Sequence, residues 1–293
     1  MNREILLPST LTLGIIVISF GAIIIRMVSG ASVFAISAWR LGVASAILLP
    51  ISLGRGTLKL ISKPNFLLSA LSGFFLSLHF ILWIASLDYT SVASSVVLVS
   101  TSPIFVGLGA RLFIHEPPSR LLKIAIALAV GGGVVVGWGD MRLGGMALQG
   151  DLLAVGGAIM AAGYLLIGRR VRREVPLSGY ALATYGTATV ILLIICLATS
   201  QPLVGFSVQD YVWLILLGVG PQLIGHTSLN WALEYLQASV VSIVTLGEPI
   251  GATILAYAFF GEALTLTKTV GGAIILIGIY LGMRTGNKAV IAD

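Results

Sequence analysis

The sequence predicts an all-α membrane protein with ten transmembrane helices, arranged as two inverted five-helix repeats. Three observations lead to this prediction. Hydrophobic residues make up 57% of the chain and charged residues only 10%, and the mean hydropathy is +1.05. A soluble domain of 293 residues could not bury that much apolar surface. A sequence pattern recurs at a spacing of 146 residues, and the basic residues alternate in density between successive inter-helix segments.

The ten spans are apolar segments of about 18 or more residues with few charges. They are residues 11–28, 32–53, 66–87, 92–113, 122–138, 150–167, 179–199, 211–229, 238–260 and 267–281. The first repeat covers residues 1–139, an external linker covers 140–149, and the second repeat covers 150–293. Because the segments between spans are short, the two repeats form one membrane domain.

The internal repeat is best seen in spans four and nine. Six of 29 ungapped positions are identical between the two copies. The identical residues are Tyr89, Pro103, Ile104, Ala110, Phe113 and Glu116, which recur as Tyr235, Pro249, Ile250, Ala256, Phe259 and Glu262. Each repeat holds an odd number of spans, so the second repeat enters the membrane from the opposite face. Such inverted repeats are typical of carriers that open a central site to each face in turn.

The distribution of basic residues predicts that both termini lie in the cytoplasm. With the N-terminus inside, the cytoplasmic segments contain 13 of the 17 basic residues, including four arginines between spans six and seven. The net charge of +6 is therefore a topology signal with some contact to anionic membrane lipids, and it does not indicate nucleic-acid binding.

Prolines and glycines mark sites of helix bending and close packing. Pro103 and Pro249 fall near the centres of spans four and nine, where each is expected to kink its helix and free backbone carbonyls beside a cavity. The alternative is a kink that only improves packing. Glycines spaced four apart in spans five and ten indicate close helix contacts. These glycine faces predict packing within a monomer, with a homodimer as the alternative.

Two charged residues, Arg40 and Glu248, lie well inside the predicted bilayer. Each costs about 2.5–3.5 kcal/mol at a helix centre, so both should face the bundle interior or a cavity. One interpretation is a structural ion pair, direct or through water, between spans two and nine. The other has Arg40 attract a substrate carboxylate and Glu248 bind an amino group or a proton. Glu248 corresponds to Ser102 in the first repeat, so the two repeats differ in charge at matching positions.

Polar and aromatic side chains on spans three, six and eight complete the candidate site. His79 and Trp83 share a face of span three, and His226 and Asn230 share a face of span eight. Tyr164 on span six is expected to pack beside the solute. The alternative for each is ordinary core packing. The predicted substrate-binding residues are His79, Trp83, Ser102, Tyr164, His226, Asn230 and Glu248, and Arg40, Pro103 and Pro249 are predicted to be structural or coupling residues. With one cysteine and no acidic or histidine-rich cluster at depth, the sequence predicts no metal and no cofactor.

The two copies of the proline–glutamate pattern resemble the drug/metabolite transporter superfamily, and the EamA-type permeases in particular. The resemblance rests on the start of span four, Pro103 with Glu116, Glu248 and Pro249 with Glu262, and the arginine in span two, Arg40. It implies a central cavity lined mainly by spans one, three, four, six, eight and nine. Span one has no acidic residue, unlike the four-span multidrug relatives, which argues against their form of proton coupling.

Together with the inverted repeat, the resemblance implies a secondary transporter that exports amino acids or related small metabolites across the bacterial inner membrane by alternating access. A multidrug or other organic-solute exporter of the same superfamily is the alternative, and a channel or a membrane-embedded enzyme is a remote one. The chain has no intramembrane protease or zinc motif, so we predict that it is not an enzyme.

Overall fold

The computed structural model describes residues 3–90, 92–137, 145–261 and 264–290, and within these ranges the chain forms helices and no β-strand. The first half contains α1 (Arg3–Met27), α2 (Val33–Gly54), a short 3₁₀ helix (Thr57–Leu60), α3 (Lys63–Ser86), α4 (Val92–Val99), α5 (Ser102–Phe113) and α6 (Arg120–Gly137). The second half contains α7 (Gly145–Arg172), α8 (Leu177–Ala198), α9 (Val208–Leu217), a π-helix (Gly218–His226), α10 (Thr227–Ala232), α11 (Ala238–Val244), α12 (Gly247–Phe260) and α13 (Leu266–Val290).

Eight helical segments in the described ranges are long and apolar enough to cross a membrane. Three of these eight are formed by consecutive shorter helices: residues 95–113, 208–232 and 238–259. A shorter apolar helix covers Thr269–Arg284. The described part of the chain is therefore all-helical, and its long apolar helices indicate a multi-pass membrane protein. Ten crossings would also need α6 and α13, so that number stays a prediction.

The first helix of each half packs against helices of the other half. In one set of contacts α1 packs against the π-helix and α12, and in the other α7 packs against α3, α4 and α5. The other large contacts join α8 to both α2 and α3, and α6 to α13. A Cβ atom on Gly278 of α13 would lie 2.8 Å from the backbone nitrogen of Ala129 in α6, so the glycine face is used within the chain.

The structure corrects two expectations drawn from the apolar runs. The run 92–113 is not one kinked helix, because it stops at Ser100 and Thr101 and restarts as α5, with Pro103 in its first turn. Pro249 likewise lies in the first turn of α12, after a break at Thr245 and Leu246. A proline in the first turn removes only an N–H that the helix does not use, so these prolines favour a new helix start.

The structure describes only the second part of the predicted linker, residues 140–149. Helix α7 begins at Gly145, so residues 145–149 belong to it, and residues 140–144 lie outside the described ranges. Glu262 of the second repeat copy also lies outside them.

Candidate functional site

The two helix breaks and the π-helix surround one cavity in the interior of the bundle. Its volume is about 60 Å³, which is room for a few water molecules. Helices α1, α2, α3, α4, α5, α7, α10 and α12 contribute to its wall, together with the π-helix. The wall residues that were predicted from the sequence are Arg40, His79, Trp83, Ser102, Tyr164, His226 and Glu248.

The other predicted residues lie beside this wall. Asn230 is fully buried behind Tyr164, whose hydroxyl donates a 2.5 Å hydrogen bond to Asn230 Oδ1. Pro103 and Pro249 sit at the helix starts that carry Ser102 and Glu248. The structure thus brings the predicted residues into one region, and their role in binding a solute remains a prediction.

Arg40 is almost completely buried, at 1% exposure, and it contacts side chains that the sequence did not predict as its partners. Its Nε donates a 2.8 Å hydrogen bond to Gln222 Oε1, and its guanidinium carbon lies 4.1 Å from the centre of the Phe80 ring. Among the described residues no direct ion pair joins Arg40 to Glu248, and the side-chain amide of Gln222 accepts from Arg40 instead. Burial above an aromatic ring stabilises a guanidinium through the ring's negative face.

Glu248 occupies the first turn of α12 and is half-buried on the cavity wall. A carboxylate is favoured there because the unpaired N–H groups at a helix start carry partial positive charge. The backbone carbonyl of Glu248 faces Ser19 Oγ at 3.5 Å, which ties α12 to α1. The matching residue Ser102 opens α5 on the same wall, so both helix starts point a polar side chain at one space.

The two histidines are held differently. Nδ1 of His79 lies 3.0 Å from the carbonyl oxygen of Gly157, so this nitrogen is the donor and Nε2 is left as an acceptor in the neutral ring. The ring stacks on Trp83 with an angle of 7° between the planes. His226 packs edge-on to Phe80, and its Nδ1 is buried with no hydrogen-bond partner among the described residues.

A chain of buried hydrogen bonds supports Tyr164 from behind. Asn230 Nδ2 donates to Tyr185 Oη at 2.9 Å, and that hydroxyl lies 3.2 Å from Thr227 Oγ1. The chain ends at the carbonyl of Gln222, which faces Thr227 Oγ1 at 3.4 Å. The network links α7, α8 and the π-helix, and it fixes the ring that lines the cavity.

A cluster of charged side chains lies at one end of the bundle, beyond the cavity. We call it the arginine cluster, and it consists of Glu116, Arg169, Arg172, Arg173 and Glu234. Glu116 pairs with Arg169 at 3.1 Å and with Arg173, and Arg172 pairs with Glu234. Arg172 Nε also donates to the carbonyl of Asn230 at 3.1 Å. The cluster therefore joins the ends of α5, α7 and α10.

Local backbone geometry places Glu116 in this cluster. His115 follows α5 with a left-handed φ of 56°, and the N–H of Glu116 then bonds the carbonyl of Ala110 at 2.9 Å. This reversal is a common way to end a helix, and it turns the glutamate back toward α7. The sequence indicated Glu116 only as a repeated residue and the arginines only as a topology signal. Their pairing could not be read from spacing.

A profile of the EamA-like transporter family matches two stretches of the chain, residues 8–138 and 148–284. The chain belongs to the EamA-like transporter family. Solute carrier family 35 member G1 of Mus musculus is 26% identical over 88% of this chain and 73% of its own length. An uncharacterized transporter of Bacillus subtilis, YyaM, is 24% identical over 83% of this chain and 82% of its own.

One shorter match and one solved structure complete the comparison. An uncharacterized transporter of Archaeoglobus fulgidus is 36% identical over 26% of this chain and 28% of its own length. A solved crystal structure aligns with 95% of this chain and 96% of its own at a TM-score of 0.78 and 18% identity, which shows a shared fold.

In this EamA-like transporter, the cavity wall brings several ionisable and aromatic side chains together. A cation, a carboxylate, two imidazoles and a phenol meet in a low-dielectric space, where charges interact strongly. Among the described residues no group of three or more histidine, cysteine, aspartate or glutamate side chains could hold a metal ion. The family and its named relatives point to a transporter and not to an enzyme.

Proposed function

We propose that the chain is a secondary transporter that exports amino acids or related small metabolites by alternating access, with the central cavity as its solute site. The observation that carries this proposal is the composition of the cavity wall. Arg40, His79 and Glu248 meet there from three different helices, deep in a protein that spans a membrane. Ionisable groups at membrane depth are costly and typically mark a substrate or ion pathway.

The charges of the wall suit a small zwitterion. Arg40 offers positive charge on one helix and Glu248 offers negative charge on another, and they do not neutralise each other in a direct ion pair. An amino acid carries a carboxylate and an ammonium group that could satisfy both. The cavity of about 60 Å³ is small for an amino acid, so we expect it to widen when it loads solute.

The reciprocal packing supports two inverted halves, residues 1–139 and 150–293. The contacts of α1 with the π-helix and α12 mirror those of α7 with α3, α4 and α5. The family profile matches each half once. Exchange of conformation between two such halves would expose the cavity to the two faces in turn.

The arginine cluster is the proposed cytoplasmic gate. The excess of basic residues assigns its face to the cytoplasm, together with both termini, in a bacterial inner membrane. Leu165 on α7 lines the cavity, and Arg169 follows one turn later, about 6 Å farther along the helix. Opening toward the cytoplasm therefore requires the ion pairs between α5, α7 and α10 to separate.

A resistance screen tests this proposal. The chain is overproduced in a bacterial host that is challenged with toxic amino-acid analogues in one arm and with toxic organic cations in the other. We expect resistance to at least one amino-acid analogue, lost in Glu248→Gln and kept in Glu174→Gln, a carboxylate outside the cavity that binds Asn65 at 2.8 Å. Resistance to organic cations alone would favour the multidrug alternative, and no resistance in either arm would contradict export of these solutes.

A further inference from the structure

Two hydrogen-bond donors next to the cavity have no partner. Arg40 Nη1 and Gln222 Nε2 are buried, and neither has a hydrogen bond in the part of the chain that the structure describes. The two groups are neighbours, because Arg40 Nε already donates to Gln222 Oε1 at 2.8 Å. That bond shows that Oε1 is the acceptor of the amide, so Nε2 is its donor atom. Unsatisfied buried donors are unfavourable, and when they persist they commonly await a ligand or water.

Gly21 of α1 leaves space beside this pair. A Cβ atom on Gly21 would lie 3.8 Å from Arg40 Nη1, 3.6 Å from Trp83 Cη2 and 3.9 Å from Pro221 Cβ. These are ordinary contact distances, so a methyl group would fit there without displacing its neighbours. In the native chain a gap about the size of a methyl group therefore remains beside Arg40 Nη1.

We infer that Arg40 Nη1 and Gln222 Nε2, with the space over Gly21, form a carboxylate subsite that selects solutes bearing a carboxyl group. This inference rests on the proposed function and specifies the part of the solute that the site requires. A carboxylate has two acceptor oxygens, and an arginine beside an amide donor matches both of them. The subsite contains donors only, so an amine that lacks a carboxylate gains nothing there.

The surrounding charges agree with this assignment. Glu248 lies on the same cavity wall and would repel a second carboxylate. His79 uses Nδ1 as a donor to a backbone carbonyl, and it therefore presents an acceptor, not a donor, on its other nitrogen when neutral. Arg40 is thus the permanently charged cation of the cavity wall. The subsite therefore suits a solute in which one carboxylate lies next to a hydrogen-bond donor from which Glu248 can accept.

The test uses the full chain in detergent, with sodium acetate as the smallest carboxylate probe and sodium chloride as the reference at equal ionic strength. At about tenfold excess over its Kd, acetate should raise the thermal midpoint of the native chain by about 2–3 °C relative to chloride. Gly21→Ala should abolish this shift, since its methyl group occupies the space beside Nη1. Gly186→Ala is the matched control, because a Cβ there meets no atom within 4 Å, and it should keep the full shift.

A second measurement follows the solute found by the resistance screen. Its primary amide, which keeps the ammonium group but lacks the carboxylate, should compete for transport at least about tenfold less well than the acid. Equal midpoints in acetate and chloride, an equal acetate shift in Gly21→Ala, or equal competition by the amide would overturn the subsite. A screen without any resistance would instead contradict the proposed export, and the acetate measurement would still decide whether the subsite exists.

Discussion

Removing the negative charge of Glu116 should open the cavity toward the face that carries the arginine cluster. The Glu116 carboxylate accepts from Arg169 Nε at 3.2 and 3.3 Å, and it also pairs with Arg173. Its side chain is 12% exposed, so it lies between a surface ion pair and a fully buried one. Surface pairs contribute about 0–1 kcal/mol and breaking buried pairs costs about 3–5 kcal/mol, so we assign about 1.5–3 kcal/mol to this one.

This free energy sets the size of the expected effect. If the pairs hold the closed form and are absent from the open form, Glu116→Gln shifts the equilibrium toward the open form by about ten- to hundredfold. Leu165 lines the cavity and is 3% exposed, so a cysteine at this position reports the opening. In a Cys196→Ser background, Leu165→Cys should react at least about tenfold faster with a membrane-impermeant maleimide in inside-out vesicles when Glu116→Gln is added.

Glu174→Gln is the control for this experiment. Glu174 lies at the same end of α7, but it binds Asn65 at the start of α3 and has no bond to the arginine cluster. It should leave the labelling rate of Leu165→Cys unchanged. Equal labelling rates with and without Glu116→Gln would refute the assignment of the cluster as a gate, and faster labelling in both variants would indicate a general loosening of the bundle.

Three further predictions concern packing, the hydrogen-bond network and the acid on the wall. Gly132→Ala should destabilise the protein by about 1–3 kcal/mol, because its Cβ would lie 2.7 Å from a backbone carbonyl of α13, whereas Gly131→Ala meets no atom within 4 Å and should be neutral in thermal unfolding. Tyr164→Phe should cost about 0.6–1.7 kcal/mol by removing the bond to Asn230, and a midpoint equal to the native one would show that the network is dispensable. Glu248→Gln should give normal yield and lose at least about tenfold in solute flux, and normal flux would remove this side chain from the mechanism.

Much of the architecture could be predicted from composition and repetition. Apolar length locates membrane segments because the bilayer fixes how many residues a helix needs. The repeat spacing paired Ser102 with Glu248, and the structure places both on one cavity wall. His79 and His226 are 147 residues apart, which is close to the repeat spacing, and they too line that wall. Polar residues at membrane depth are few, so their convergence could be inferred without coordinates.

The features that escaped prediction depend on backbone detail and on long-range partners. An apolar run has the same sequence pattern whether its helix is continuous or broken. The sequence therefore predicts a kink at Pro103, where the structure has a helix break followed by the start of α5. The π-helix turns Gln222 toward Arg40, a contact between residues 182 positions apart that no spacing rule identifies. The charge pairs of Glu116 depend likewise on the reversal at His115.

Counterflow in proteoliposomes tests the central claim most directly. Vesicles containing the purified chain are loaded with the unlabelled solute from the resistance screen and diluted into a trace of the labelled solute. The account predicts saturable uptake of label that transiently exceeds its equilibrium level, because one site is exposed to the two faces in turn. Uptake that rises linearly with solute concentration, with no overshoot in loaded vesicles, would contradict alternating access and indicate a channel.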